Sequence, residues 1–474
     1  MKASALHPAK LVLFSIPLMF LASCASVATQ QDQYIESVPL AREGAYDQAA
    51  VIIEAAKGVE YKEKDRVLFY LDLGMLYHWS GEYEKSNEIL TKAENAIEEL
   101  FTRSISKAMA SGVLNDNALD YSGEDYENIY LNVFKALNYI ALGDRESALV
   151  EIRRVQIKLN LLEDKYKKLV EEYNTSEDAG GELQYRESRF HNDVLARYLS
   201  LLLYRADEAW DDARIDSESI HEAWKTQKDL YKFPQPTLPE VIPVDEDQAL
   251  VDVISFSGLS PVKLADTFYV NTGPNSVFLT MTGENKENVT NLVGFNTLII
   301  PGVQPGFHFK VQFPRLTSRR SEADRVVVKF NGEEVAEIPM LEKMENIARE
   351  TFLLKQPLTV GKTIIRATIK NVTKEIGKNA MQKELNNQGT GGFIIGLIAG
   401  IAADVAVDAT ENADLRISQF FPSYARAVEV SVPPGTYQVT VEYWNGKNLM
   451  REVDHGTREF SSGGLNLVES YLLQ

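Results

Sequence analysis

The hydrophobic periodicity of this chain changes at residues 232–248, and that change limits the folds open to it. The segment KFPQPTLPEVIPVDEDQ contains four prolines and ends in acidic residues. Residues 30–230 before it carry apolar residues at helical spacing, whereas short strand-like runs follow it. Because prolines interrupt helices and strands alike, this segment predicts a boundary. We therefore predict a multidomain chain, with an α-helical half at 24–231, a linker at 232–248 and a β-rich half at 249–474.

The helical half contains an internal repeat. Residues 66–100 match the tetratricopeptide (TPR) pattern of two antiparallel helices joined by a short turn. Small residues at Gly74 and Ser86 are expected to let the two helices approach closely, with the turn at Gly81. Weaker copies of the pattern occupy 43–57, 129–155 and 197–215. These spacings predict an irregular TPR-like α-helical array, with insertions at 112–125 and 174–183.

A stacked helical array presents a concave face, and such faces usually bind peptides or protein segments. We expect this groove to be lined by apolar and aromatic residues of the first and third repeats. The candidate partner-binding residues are Leu71, Met75, His78, Trp79, Tyr130 and Leu137. The alternative is that these side chains are buried against the next helix or against the C-terminal half.

The C-terminal half is predicted to be a β-rich, sandwich-like domain with inserted helices, an α+β unit. The predicted strands are 249–258, 266–273, 276–283, 297–302, 307–313, 325–339, 426–432, 436–444 and 449–456. The run 325–339 reads as a hairpin because Asn331-Gly332 is a strong two-residue turn signal. Inserted helices are predicted at about 340–355, 362–384 and 391–409.

The last of these helices carries Gly392, Gly396 and Gly400, four residues apart and hence on one helical face. Such a face lets another helix approach closely, in a membrane or in a protein interior. Three interpretations remain open for it: packing on the helix at 362–384, an oligomer contact, or membrane insertion.

Cys24 is the only cysteine in 474 residues. It follows Lys2, Lys10 and a twelve-residue apolar run, Leu11–Ala22, that is shorter than the ~20 residues needed to cross a bilayer. Leu21-Ala22-Ser23-Cys24 resembles the bacterial lipobox, in which the cysteine sulfur receives a diacylglyceride and the new amine is acylated, commonly with palmitate. Residues 1–23 are then a lipoprotein signal peptide and Cys24 is the lipidation site. The alternative is ordinary cleavage after Ala25, which would discard the cysteine.

Three further blocks resemble an uncharacterised family of bacterial tetratricopeptide envelope lipoproteins, sometimes discussed beside activators of cell-wall synthesis. The blocks are LNYIALGDRESALVEIRRV, IARETFLLKQPLTVGKTIIRATIKNV and ADLRISQFFPSYARAVEVSVPPGTYQVTV. In that family an aromatic residue often lies two positions after Arg416, where this chain has Ser418. The resemblance implies an envelope location and no known activity. In a Gram-negative host, Ala25 after the cysteine, rather than Asp, favours the outer membrane.

The composition and the motifs narrow the chemistry. A net charge of −19 argues against nucleic acid, because phosphate binding needs clustered Lys and Arg. His221-Glu222 begins like a zinc-protease helix, but Lys225 stands where its second histidine would be, and the six histidines show no ligand spacing. Arg315, Arg319, Arg320 and Arg325 form a basic stretch that would suit an acidic partner or a solvated loop. We predict no catalytic residues, no metal and no cofactor.

The leading functional hypothesis is therefore a non-enzymatic, lipid-anchored adaptor. It would face the periplasm from the outer membrane and bind envelope proteins through the helical groove. Two alternatives come from other classes. One is a homo-oligomeric, ring-forming subunit of an envelope machine that uses the glycine face. The other is an enzyme acting on the cell wall.

Overall fold

The computed structural model describes residues 31–107, 117, 119–175, 185–284, 290–299, 305–306, 308–356, 358–360, 363 and 412–474. Several predictions lie outside these residues. They are the signal segment with Cys24, nearly all of the predicted helix at 362–384, the helix at 391–409 with Gly392, Gly396 and Gly400, and parts of both predicted insertions.

The N-terminal half consists of helices that pair in sequence order. The helices are α1 (Gln33–Glu43), α2 (Tyr46–Ala55), α3 (Arg66–Trp79), α4 (Tyr83–Lys107), α5 (Asp125–Ala141), α6 (Arg145–Thr175), α7 (Val194–Ala206) and α8 (Trp210–Thr226). Contacts join α1 to α2, α3 to α4, α5 to α6 and α7 to α8. Paired helices therefore occupy the predicted helical region, and the fold class combines a helical half with a β-rich half.

The close approach of α3 and α4 depends on the two small residues noted in the sequence. A Cβ at Gly74 would lie 2.6 Å from Leu90 Cδ2, so only glycine fits there without a shift. Ser86 Oγ donates a hydrogen bond to the Gly74 carbonyl at 2.8 Å. The turn between the helices contains Gly81 at φ 78°, a conformation that glycine adopts without strain.

The C-terminal half contains three four-stranded sheets among its described residues. The strands are β1 (Ala249–Ser257), β2 (Leu259–Gly273), β3 (Ser276–Glu284), β4 (Thr290–Ile299), β5 (His308–Arg319), β6 (Arg325–Phe330), β7 (Glu333–Glu337), β8 (Met340–Glu342), β9 (Tyr424–Val432), β10 (Gly435–Asn445), β11 (Asn448–Phe460) and β12 (Asn466–Leu472). Their orders are β12-β1-β9-β8, β11-β10-β6-β7 and β4-β3-β2-β5. A ninth helix, α9, covers residues 344–356.

The first two sheets share one hydrophobic core. Val251 and Val253 of β1 pack in the same buried cluster as Val328 of β6 and Val441 of β10. Alternate residues of each strand therefore face the opposing sheet, which is the arrangement of a sandwich. The third sheet continues from this sandwich through β2, which starts two residues after β1 ends.

A second core runs through both halves of the chain. Phe134 of α5 belongs to the same buried cluster as Phe256 of β1, and Phe420 and Phe421 also join it. Residues 232–248 form no helix and no strand, as predicted, yet Phe233 packs against this core. The secondary structure thus changes at the predicted boundary, but the hydrophobic core does not stop there.

Predictions of three elements need correction. The strand predicted to start at 266 begins at Leu259, because residues before 266 pair with the extended β5. The helix predicted to start at 340 begins at 344, since Met340–Glu342 pair with β9 as strand β8. Strand β12 was not predicted. It pairs in parallel with β1, with Asn466 opposite Val251, and local sequence patterns do not indicate such a long-range contact.

Candidate binding site at the junction of the two halves

Residues 412–421 form an extended segment, the junction segment, that lies between the helical half and the β-rich half without helix or strand. Side chains of the helices bind its backbone. The Ser418 N–H donates to Glu127 Oε1 at 2.6 Å, and Trp79 Nε1 donates to the Phe420 carbonyl at 2.9 Å. The helical array therefore holds a segment of its own chain much as a recognition domain holds an extended peptide.

Asp72 of α3 is one of the carboxylates that bind this segment. Its side chain is fully buried and accepts hydrogen bonds from Tyr34 Oη at 2.5 Å and Tyr61 Oη at 2.7 Å. It also accepts from Ser418 Oγ at 2.8 Å and from the Gln419 N–H at 3.0 Å. Burial raises the pKa of Asp72 to about 6, although all four hydrogen bonds favour the charged form.

Glu127 of α5 is the second such carboxylate. Besides the Ser418 N–H, it accepts hydrogen bonds from Tyr121 Oη and from the Glu124 N–H, both at 2.7 Å. Burial, followed by the charge of Glu124, raises the pKa of Glu127 to about 7.

Arg416 fixes the other end of the junction segment by charge. Its Nη1 lies 3.0 Å from Asp65 Oδ1 and donates to the Leu119 carbonyl at 3.0 Å. Its Nη2 lies 2.8 Å from Asp414 Oδ2. Burial opposes ionisation of Asp414, but the charge of Arg416 outweighs it and holds the pKa of that carboxyl well below its usual value.

A cavity of about 600 Å³ opens beside the junction segment, and Asp414 and Arg416 form part of its wall. It lies between α6 on one side and strands β2 and β5 with α9 on the other. Its apolar wall includes Ile97, Leu161, Leu162, Leu169, Phe313 and Phe352. We call it the junction cavity; its volume is within the ~300–1,000 Å³ typical of small-molecule sites.

The polar side of the junction cavity is built on Glu124. Lys263 Nζ hydrogen bonds to Glu124 Oε1, and Lys355 Nζ lies 3.2 Å from the same oxygen. Burial alone would raise the pKa of Glu124, but the charges of Lys263 and then Lys355 lower it below its usual value. The two lysines differ in exposure: the side chain of Lys263 is 4 % exposed and that of Lys355 is 39 % exposed.

Two more lysines of α6 line the cavity, and each shares its carboxylate with another donor. Lys165 Nζ lies 2.7 Å from Asp125 Oδ1, while Tyr166 Oη donates to the other oxygen of Asp125. Lys158 Nζ lies 2.9 Å from Glu94, which also accepts from the buried Lys135. The acids at the cavity mouth are Glu98 and Asp120, of which Asp120 pairs with Arg66 at 3.4 Å.

The six predicted groove residues do not line an open surface. Leu71, Met75, His78, Trp79, Tyr130 and Leu137 are each at most 1 % exposed. The structure has the alternative that the sequence left open, which is burial. Leu71, Met75, Trp79, Tyr130 and Leu137 belong to the core that also contains Phe256 and Phe420, so a partner cannot reach these side chains in this conformation.

His78 and Trp79 show how tightly this face is covered. His78 Nε2 lies 2.8 Å from Glu469 Oε1 of β12, and its Nδ1 lies 2.7 Å from Asn138 Oδ1. The Trp79 ring centroid lies 4.8 Å from that of Tyr471, also on β12. Both side chains therefore connect the helices to the last strand.

The arginines at 315–325 are paired within the chain and do not form one basic patch. Arg315 pairs with Asp266 at 3.0 Å and Arg320 with Glu345 at 3.1 Å, while Arg325 pairs with Glu334 and Glu337. Arg319 donates to the Ser260 carbonyl at 2.8 Å and to Gln419, next to the junction segment's Ser418.

Sequence reasoning did not identify Asp72, Glu127 or the lysines of the cavity. A signal for the first two was present, because Asp72 stands in the apolar run LFYLDLGML and Glu127 in DYENIYLNVF. A charged residue within an apolar helical run is buried only if it finds partners. Those partners are not identified by the pattern, because Ser418 lies 346 residues from Asp72 and 291 residues from Glu127.

Within the described residues, no group of three or more His, Cys, Asp or Glu side chains is arranged to hold a metal ion. None of the described helices combines the length and the apolar composition needed to cross a membrane. No family model, curated protein or solved structure matches the chain.

Proposed function

We propose that this chain is a lipid-anchored periplasmic adaptor of the bacterial envelope, whose helical half is an irregular TPR-like array and whose binding site is the junction cavity. The main support for this binding site is the cavity itself. It has a volume of about 600 Å³ and is lined by residues of α6, α9 and the junction segment. The predicted groove is filled by the protein's own chain, and the junction cavity is the open concave site beside it.

The TPR-like assignment rests on helix order and on the small residues that close the first unit. Four consecutive helix pairs follow one another, and Gly74 meets Leu90 in the α3–α4 pair. The positive-φ turn residues Gly44, Gly81 and Gly143 stand at equivalent places, with Glu208 at φ 58° in the last pair.

An exposed apolar row on α6 leads into the junction cavity and offers a surface for a protein partner. Ile157 and Leu161 are 56 % and 60 % exposed, and Leu161 also lines the cavity. Large apolar side chains at helical spacing on an exposed face are typical of protein contacts. A partner that docks on α6 would therefore reach the cavity mouth.

Lipid anchoring rests on the lipobox at Leu21–Cys24 and on the resemblance to envelope lipoproteins. Cys24→Ala is expected to abolish acylation and release the protein from the membrane fraction. Two or three acyl chains make anchoring stable, and a protein without acyl chains lacks that anchor. Labelling with radioactive palmitate and membrane fractionation measure this. A Cys24→Ala protein that stays labelled and membrane-bound would exclude Cys24 as the anchor.

Partner binding at the junction cavity is tested by site-specific photocrosslinking in intact cells. A benzoylphenylalanine at Leu161 is expected to capture discrete protein partners. The matched control is the same group at Ile215 of α8, a helical residue with 50 % exposure that lies outside the cavity. Identical adducts at both positions, or none at Leu161, would remove the adaptor proposal at this site.

A further inference from the structure

We propose that the junction cavity binds a single-chain phospholipid, with the acyl chain against the apolar wall and the head-group phosphate against the lysines at the rim. This inference rests on the proposed function, because the lipid anchor is what keeps the cavity beside a membrane. It names a ligand class for a site that the adaptor role by itself leaves unspecified.

The lining of the cavity combines apolar and charged side chains, and this combination favours an amphiphile. Leu162 and Leu169 of α6, Phe313 of β5 and Phe352 of α9 supply apolar surface. Glu124, Lys263, Lys355 and Arg416 supply charged groups. An acyl chain gains free energy from the apolar side chains in proportion to the apolar area it covers, whereas a uniformly polar ligand would not.

Lys355 can exchange its carboxylate partner for a phosphate without leaving a buried charge unpaired. Glu124 holds both Lys355 and the more deeply buried Lys263. When Lys355 turns toward a ligand, Lys263 still neutralises Glu124, so the desolvation cost of an unpaired carboxylate does not arise. The greater exposure of Lys355, 39 % against 4 % for Lys263, identifies it as the lysine that moves.

Lys165 of α6 is paired in a similar way. Its partner Asp125 also accepts a hydrogen bond from Tyr166 Oη, so Asp125 keeps a donor when Lys165 turns away. Lys165 and Lys355 both belong to the cavity lining, and the proposal assigns the phosphate to these two ammonium groups. Anionic oxygens form charge-assisted hydrogen bonds with such ammonium groups.

The length of the tether keeps the cavity close to a source of lipid. Gln31, the first described residue, donates from Nε2 to the Leu415 carbonyl at 3.2 Å, and Leu415 lies between the cavity residues Asp414 and Arg416. Gln31 lies seven positions after Cys24 in the sequence, with six residues between them. An extended chain of seven residues spans at most about 24 Å, so an acylated Cys24 keeps this side of the molecule near the membrane surface.

The test uses the acylated full-length protein in a non-ionic detergent and a lysophosphatidylethanolamine probe with a diazirine in its acyl chain. After irradiation, peptide mass spectrometry is expected to locate the label on α6 around Leu161 and on α9 around Phe352. Leu161→Trp, which narrows the mouth, should reduce labelling about tenfold, whereas Ile215→Trp on α8 should leave it unchanged. Equal labelling in both variants would overturn the proposal.

The rim lysines are tested with a second probe that lacks a phosphate, a diazirine monoacylglycerol. Lys355→Gln with Lys165→Gln should weaken labelling by the phospholipid probe about tenfold per lost charge-assisted hydrogen bond, and leave the neutral probe unaffected. The control is Lys225→Gln on α8, whose side chain is 73 % exposed and remote from the cavity. Equal loss for both probes would reject the phosphate assignment.

The outcomes separate this inference from the adaptor role. If Leu161 captures a protein partner in cells while the phospholipid probe labels no cavity peptide, the lipid inference falls and the adaptor proposal stands. If the probe labels α6 and no protein is captured, the adaptor proposal falls and the lipid site remains. Because the lysine variants alter partly exposed side chains, they remain informative even if Leu161→Trp does not fold.

Discussion

Ser418 Oγ donates a hydrogen bond to Asp72 Oδ1 at 2.8 Å, across 346 residues of sequence. Asp72 belongs to the α3–α4 helix pair, and Ser418 belongs to the junction segment, which precedes strand β9. The contact is buried, and the Gln419 N–H shares the same oxygen. One carboxylate thus links α3 to the junction segment of the C-terminal half.

Asp72→Ala is expected to lower the free energy of unfolding by about 3–5 kcal/mol. The change leaves two tyrosine hydroxyls, one serine hydroxyl and one backbone N–H without their acceptor, at ~1–3 kcal/mol for each group that stays buried. Asp72→Asn should cost only about 1 kcal/mol, because its carbonyl can accept from Ser418 and Gln419 while its amide donates to the tyrosine hydroxyls. Urea unfolding measures both, and equal losses in the two variants would contradict this account.

Buried carboxyls with raised pKa values should dominate the pH dependence of stability. Burial raises the pKa of Asp72 to about 6 and that of Glu127 to about 7. Both carboxyls therefore bind protons more tightly in the folded than in the unfolded state. Their contribution is therefore complete below about pH 4 and is lost as the pH rises through 6 to 7. Asp193 and Asp252 act in the same direction, while His455, with a pKa lowered to about 4, opposes them.

We therefore expect the free energy of unfolding to be higher at pH 5 than at pH 8. Asp72→Asn should reduce that difference by about 1.4 kcal/mol, because only about one pH unit lies between pH 5 and the folded-state pKa of about 6. Below about pH 4 stability should fall again, since the lysines beside Glu94 lower its pKa to about 2, against the effect of burial. Urea midpoints at pH 5 and pH 8 test this, and an unchanged difference in Asp72→Asn would refute the assignment to that carboxyl.

Gly74→Ala is expected to destabilise the protein by about 1–3 kcal/mol, the usual cost of overpacking. The new Cβ would lie 2.6 Å from Leu90 Cδ2, and this clash outweighs the better helix propensity of alanine. Leu90→Ala alone should cost ~2–5 kcal/mol through its cavity. The double variant should lose less than the sum of the two. Strict additivity in thermal unfolding would show that the two residues do not collide.

Lys135→Met should lower the free energy of unfolding by about 3–5 kcal/mol, because it leaves buried carboxylates short of a partner. Lys135 Nζ lies 2.8 Å from Glu94 and 3.0 Å from Glu151, and all three side chains are at most 7 % exposed. The control is Lys85→Met, which removes an exposed pair with Glu82 and should change stability by less than about 1 kcal/mol. Similar unfolding midpoints for the two variants would disprove the role of the buried network.

Local signals in the sequence predicted the elements well. The helices on either side of Gly81 and the hairpin at Asn331-Gly332 stand where the pattern placed them, and both turns have positive φ. These features depend on a residue and its near neighbours, which is why periodicity and turn chemistry reveal them. The start of β2 and strand β12 depend on pairing with distant strands, and there the prediction was wrong or incomplete.

The candidate site was beyond sequence reasoning for the same reason. Aromatic and apolar residues such as Trp79 and Leu71 fit a binding groove and a buried interface equally well, because both remove apolar area from water. Lys263 and Lys355 belong to different elements and meet only because Glu124 lies between them. Their pairing is a property of how the halves pack.

The sequence by itself determined where helices end and strands begin and that Gly74 and Ser86 bring two helices together, and it predicts a lipobox at Cys24. The tertiary structure decided that predicted groove residues such as Trp79 are buried and bound to residues 412–421, and that a cavity remains beside these residues. The physical reason is the range of the interactions. Backbone geometry and helical spacing act within a few residues, whereas burial of apolar faces and pairing of buried charges join segments that the chain order keeps far apart.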